Sequence, residues 1–213
     1  MTVLALAVVA FAADQFLVAL PGEQLGALMQ EGLVYGPYVR QGEWWRVVAT
    51  VFAHGNWLHL ALNMSVVWTL GQTLERAIRP WRFALVSLVT ALGSSLFVLL
   101  FAYQQPTLGA SGMIIGYAGV MLPIATQRGR RELSTWLLQI AVISLLPGIS
   151  WQGHLGGFLF GLPLGWALRG GAPRFRYAAP IVLFVVACLV VLAGAGYFAG
   201  PSPLPSSTGR GMP

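Results

Sequence analysis

Long apolar stretches separated by short polar breaks run along almost the whole chain. Seven of them, at about 3–20, 57–74, 81–103, 110–127, 133–149, 152–169 and 178–199, are long and predominantly apolar. Runs of about 17–25 residues are long enough to carry a helix across a hydrocarbon core of about 30 Å. The pattern predicts an all-α polytopic membrane protein. The first stretch has no positive leading segment and no convincing small-residue cleavage site, so it reads as a retained span and not a signal peptide. Residues 1–199 form a single transmembrane domain on this reading, with one long connection at 21–56. The segment 200–213, with Pro201, Pro203, Pro205, Ser206 and Ser207, reads as a disordered tail.

Composition agrees with the pattern. The chain is 57% hydrophobic and 8% charged, with 26 glycines among its 213 residues. Its net charge of +6 would be compatible with nucleic acid, but the placement of the arginines argues otherwise. Nine of the twelve basic residues, all arginine, fall in three patches: Arg76, Arg79 and Arg82; Arg128, Arg130 and Arg131; Arg169, Arg174 and Arg176. These follow the second, fourth and sixth apolar stretches. The positive-inside rule puts them in the cytoplasm. The N-terminus is then inside, the end of the seventh stretch outside, and a multi-pass protein of the cell membrane is predicted. The single Cys188 allows no intrachain disulfide.

With that orientation, spans two, four and six all run inward from the outer surface. His59 lies about three residues into span two, Ser111 opens span four within Gly109-Ala110-Ser111-Gly112, and His154 opens span six. At about 1.5 Å per residue all three sit within a helical turn or so of the outer face. Reactive or ionisable groups in a membrane segment are costly and mark function by default. A serine is a weak nucleophile until an adjacent base takes its proton, and neutral histidine titrates in the right range. Gly109, Gly112, Gly116 and Gly119 form a stripe on span four, and Gly153, Gly157, Gly161 and Gly165 a ladder on span six. Small residues let membrane helices approach closely, which a Ser–His hydrogen bond between helices requires. His59 and Asn63, spaced i, i+4 on one face of span two, could donate to an oxyanion together with the Ser111 amide at its helix N-terminus. Glycine ladders are also ordinary membrane packing, and an Asn63 of this kind also serves to hold a helix in place. The shared depth of the three motifs favours chemistry.

Taken in order, His54-x4-His59-x3-Asn63, Gly109-Ala110-Ser111-Gly112 and Gly153-His154-Leu155-Gly156-Gly157 resemble the signatures of the rhomboid intramembrane serine proteases. Trp45-Arg46 is similar to the Trp-Arg of that family's first loop, and Glu75 to the acidic residue ending its second helix. The likeness covers about residues 43–166. It implies a Ser111–His154 catalytic dyad, an oxyanion site from His59, Asn63 and the Ser111 amide, and a structural role for His54. It also implies cleavage of transmembrane substrates, a loop 21–56 that dips into the outer leaflet, and a six-helix core to which span 178–199 adds a seventh helix. Four residues after the nucleophile, where many members carry an aromatic ring against the catalytic histidine, this chain has Ile115. Tyr117 lies on another helix face and is no obvious substitute.

A third catalytic carboxylate is not apparent. Glu75 is sixteen residues along span two from His59, about 24 Å by helical rise, and Asp14 in span one is read as locally paired or protonated. No cofactor and no metal are expected: His54, His59 and His154 could coordinate by residue type, but their spacing suits shared ligation poorly. Trp151 either anchors at the interface or lines the mouth of the site. The competing classes are an inactive relative that binds transmembrane helices, which would usually lack the serine or the histidine, and a small transporter, which would carry charges at span centres. The lipid bilayer and transmembrane protein substrates are the expected partners; the pattern does not speak to oligomeric state.

Overall fold

The computed structural model describes residues 32–199; the first predicted span, Asp14 and the tail at 200–213 lie outside the described residues. The described part is helical, with one isolated antiparallel bridge between Val34 and Thr107. Two short helices, α1 (Gly36–Arg40) and α2 (Arg46–Ala49), precede α3 (Trp57–Val66). A π-helical turn at Val67–Gly71 joins α3 to α4 (Gln72–Ile78). Then follow α5 (Pro80–Phe101), α6 (Ser111–Ile124), α7 (Gln127–Ile143), α8 (Trp151–Arg169) and α9 (Ala172–Gly194).

Local chemistry sets these limits. Asn56 caps α3 by accepting from the His59 N–H at 2.8 Å, Thr126 caps α7 through the Gly129 N–H, and Ser150 caps α8 through the Gly153 N–H. Each occupies an N-cap position that favours short polar side chains. Arg79 takes a positive φ of 77° and Pro80 follows it, which reverses the chain between α4 and α5. The helix predicted over 133–149 instead spans Gln127–Ile143. Thr126 starts it inside the arginine-rich segment, where hydropathy is low, and Pro147 with Gly148 at φ +83° lies in the break that follows it.

The predicted count of spans is met only in part by length and apolarity. Among the described residues, Pro80–Phe101 and Ala172–Gly194 are long and apolar enough to cross a membrane, with mean hydropathy of 2.3 and 2.6. The other predicted spans within the described residues fall short for separate reasons. The segment Trp57–Ile78 is broken by its π turn, and α6 has 14 residues. Arg128, Arg130, Arg131 and Glu132 charge the start of α7, and Gln152, His154 and the glycines dilute α8.

Helix α8 occupies the centre, between α5 and α6. Its glycines explain how. A Cβ at Gly157 or Gly161 would collide with the carbonyl of Gly112 or Gly116. In the other direction a Cβ at Gly116 would lie 2.9 Å from the Gly157 carbonyl, and one at Gly119 2.6 Å from that of Phe158. The two helices therefore touch backbone to backbone. On the opposite face Gly156 meets the Gly93 carbonyl and Phe97 of α5. Helix α9 packs on α5 and α8 through the buried Phe175, Ala179, Val186 and Val190. Its C-terminal end is held by the Tyr103 hydroxyl, which donates to the Gly194 carbonyl at 3.3 Å, and by Trp44 and Val39 against Gly194.

Candidate active site

Loop contacts place Ser111 before any catalytic contact is made. Val34 and Thr107 exchange both backbone hydrogen bonds, at 2.8 and 2.9 Å. The Thr50 hydroxyl donates to the Thr107 carbonyl at 3.0 Å, and the Gly109 N–H donates to the Thr50 carbonyl at 2.9 Å. The segment before α1 and the end of the α2 turn thus pin the strip that feeds into α6. Gly109 has φ +115°, and a Cβ there would lie 2.7 Å from the His59 ring. Glycine is required at this position twice over, for the backbone and for the imidazole lying against it.

Ser111 is the first residue of α6 and His154 lies in the first turn of α8, and the glycine contact brings them together. His154 Nε2 is 2.8 Å from Ser111 Oγ. The other ring nitrogen, Nδ1, is 2.6 Å from the hydroxyl of Ser144, which in turn donates to the Ile140 carbonyl at 2.6 Å. Ser144 was not singled out by sequence. The usable signal was depth: on the predicted topology the fifth apolar stretch runs toward the side where the sixth begins, so a serine at its end falls level with His154.

His59 and Asn63 face the same space from α3. Asn63 Nδ2 donates one hydrogen to the His59 carbonyl at 2.9 Å, which leaves its second amide hydrogen available. His54 sits apart from this surface. It is wholly buried, its Nδ1–H donates to the Phe52 carbonyl at 3.1 Å, and its ring meets the His59 ring edge-on with centroids 5.1 Å apart. Burial is the dominant cause that lowers its pKa to about 4; the Phe52 hydrogen bond opposes it, and the neighbouring His59 adds a still smaller push in the same direction as burial. Ile115 is buried and lines the same cavity as His154, whereas the Tyr117 hydroxyl is 2.8 Å from Ser87 and its ring packs on Phe83. Trp151 stacks on Phe101 at 6.5 Å and lines an apolar hollow behind His154 rather than the main cavity.

Ser111, His154, His59 and Asn63 all line one cavity of about 630 Å³. Its sides are α3, through Leu62 and Val66, and α7, through Trp136, Ile140 and Ile143. A nucleophile, a base, and donors from a helix N-terminus and an amide converge there, a set suited to acyl transfer. Among the described residues no three His, Cys, Asp or Glu side chains are grouped to hold a metal.

Comparison with known proteins places this arrangement. The Rhomboid domain family matches residues 41–171. The chain is 30% identical over 173 residues to Rhomboid protease GluP of Bacillus subtilis, covering 78% of this chain and 34% of that protein. It is 31% identical over 198 residues to RHOMBOID-like protein 6, mitochondrial, of Arabidopsis thaliana, covering 81% and 63%. With Rhomboid-type serine protease 2 of Emericella nidulans it shares 31% over 133 residues, covering 58% and 26%. The chain thus spans between about a quarter and under two thirds of the length of these relatives. It belongs to the rhomboid family.

Proposed function

From that membership and the site geometry, we propose that the chain is an intramembrane serine endopeptidase that cuts transmembrane proteins near the outer membrane face. The observation that carries the proposal is the 2.8 Å approach of Ser111 Oγ to His154 Nε2 across two helices. Ser111 Oγ attacks the scissile carbonyl as its proton passes to Nε2. The resulting oxyanion is met by the Ser111 N–H, the His59 imidazole and the free Asn63 amide hydrogen. As the tetrahedral adduct collapses, the C–N bond breaks and His154 returns the proton to the leaving amine. Water then attacks the acyl-enzyme, His154 takes its proton, and the ester to Ser111 breaks to release the second fragment. His54 holds the turn beneath His59 and takes no part in proton transfer. The reaction draws on side chains and backbone amides alone.

In the same reading the chain is a single membrane domain with a six-helix core, the stretch 3–20 supplying its first span and α9 a seventh. The arginine patches put the N-terminus in the cytoplasm and the end of α9 outside. A transmembrane helix hides its carbonyls in its own hydrogen bonds because lipid offers no substitute. Good substrates therefore carry Gly, Pro or small residues at their outer ends, where the helix opens. The presence of both Ser111 and His154, at hydrogen-bond distance, speaks against an inactive binder. The test is to incubate detergent-solubilised protein with a panel of single-span substrates beside Ser111→Ala. Cleavage in the outer half by wild type alone is expected. Equal products from Ser111→Ala, or a cut in the cytoplasmic half, would overturn the proposal.

A further inference from the structure

We infer that Ser144, at the outer end of α7, is a positioning residue that sets the tautomer of His154. Its hydroxyl lies 2.6 Å from His154 Nδ1 and 2.6 Å from the Ile140 carbonyl. A hydroxyl has one proton to give, and a carbonyl oxygen only accepts. The Ser144 proton therefore goes to Ile140, and its oxygen must receive the proton of Nδ1–H. In a neutral imidazole that leaves Nε2 as the unprotonated nitrogen, facing Ser111 Oγ at 2.8 Å. This is the form in which Ser111 donates and His154 accepts. The opposite tautomer would place an N–H against Ser111 Oγ and would leave Nδ1 needing a proton that Ile140 already holds.

Two further features make Ser144 the determinant. It is buried, with 5% of its surface exposed, so bulk water does not replace it. Ile115 lines the same cavity and has no ring to stack on the imidazole, and the side-chain hydrogen bonds that hold His154 are those to Ser144 and Ser111. Ring tautomers are set in this way by the partner of the second nitrogen. The Ser144 link also joins α7, which buries no residue along its length, to the base on α8.

The catalytic consequence rests on the protease reading, but the tautomer does not, and the test separates them. Full-length protein labelled with ¹⁵N-histidine in detergent, with His154 assigned by its loss in His154→Gln, reports which ring nitrogen carries the proton. Wild type should show Nδ1–H with a bare Nε2. Ser144→Ala should shift His154 toward a mixture of tautomers, and Ser144→Thr, which keeps the hydroxyl, should restore the wild-type signal. On a cleaved substrate Ser144→Ala should lower kcat about 10–100-fold with KM unchanged, less than the roughly 10²–10⁴ that losing the general base itself would cost, and Thr should rescue it. A wild-type spectrum with Nε2–H overturns the inference without any variant having to fold. So does a Ser144→Ala protein with unaltered tautomer and kcat. A wild type that cleaves nothing yet shows Nδ1–H would defeat the protease proposal and leave the assignment of Ser144 supported.

Discussion

The α6–α8 pair and helix α7 border the same cavity but are built in opposite ways. On α6 and α8, glycine faces glycine and backbone touches backbone, so neither helix can shift without a clash. On α7 nothing along the helix is buried, Leu138 and Val142 are 67% and 61% exposed, and Trp136 packs only partly on the core. The proposed reacting pair, Ser111 and His154, sits on the rigid side. The loose side contributes a cavity wall and the Ser144 contact. Catalytic geometry needs tolerance of a few tenths of an ångström, whereas admitting a substrate helix needs an element that gives way. On the proposed function, the molecule divides these demands between neighbouring helices.

The largest effects should follow from breaking the rigid side at its reacting atoms. Ser111→Ala and His154→Ala should each lower kcat by at least about 10³-fold, and the double change should be scarcely worse, because the two act as a unit. Multiplying losses in the double variant would show that they work independently. Asn63→Ala should lower turnover by about 10–1000-fold, as loss of one oxyanion donor does, while Ser111 stays reactive to a serine-directed inhibitor. An unfolded Asn63→Ala protein with normal turnover per folded molecule would instead assign Asn63 to structure.

Packing gives the sharpest contrast between the two regions. Gly157→Val would drive a side chain into the Gly112 carbonyl, and overpacking of this kind costs about 1–3 kcal/mol. Leu138→Ala on α7 should change stability by no more than about 0.5 kcal/mol. Thermal midpoints in detergent decide the matter, and equal shifts would erase the distinction. A smaller effect comes from His54. Its pKa falls from 6.5 to about 4 on burial, so below 6.5 the unfolded chain takes up a proton that the folded one refuses. Stability from this group is intact above about pH 6.5 and is lost progressively as pH falls toward about 4. His54→Asn should flatten that part of the midpoint-versus-pH curve; an unchanged slope would place the acid sensitivity elsewhere.

Much of the rigid side was readable from the chain. Apolar runs located α5 and α8 to within about two residues, and placed α9 about five or six residues too late at both ends. The glycine periodicity marked the face on which α6 and α8 meet, since a stripe of missing side chains is visible in sequence and its consequence is local. The loose side was much less readable. Hydropathy misplaced α7 because Thr126 starts the helix among arginines that a hydropathy window discounts. Ser144 looked like an ordinary helix-end serine, and its partner lies ten residues away across a turn. The links from Val34 and Thr50 to the strip before Ser111 are non-local backbone contacts, which no periodicity announces. The π turn at Val67–Gly71 also left no mark in the apolar pattern.

Intact-mass spectrometry after exposure to a fluorophosphonate tests most directly whether Ser111 and His154 form one catalytic unit. Wild-type protein should gain a single covalent adduct, mapped to Ser111, while folded His154→Gln should gain almost none over the same time. Labelling of His154→Gln at the wild-type rate, or an adduct on another residue, would contradict the dyad.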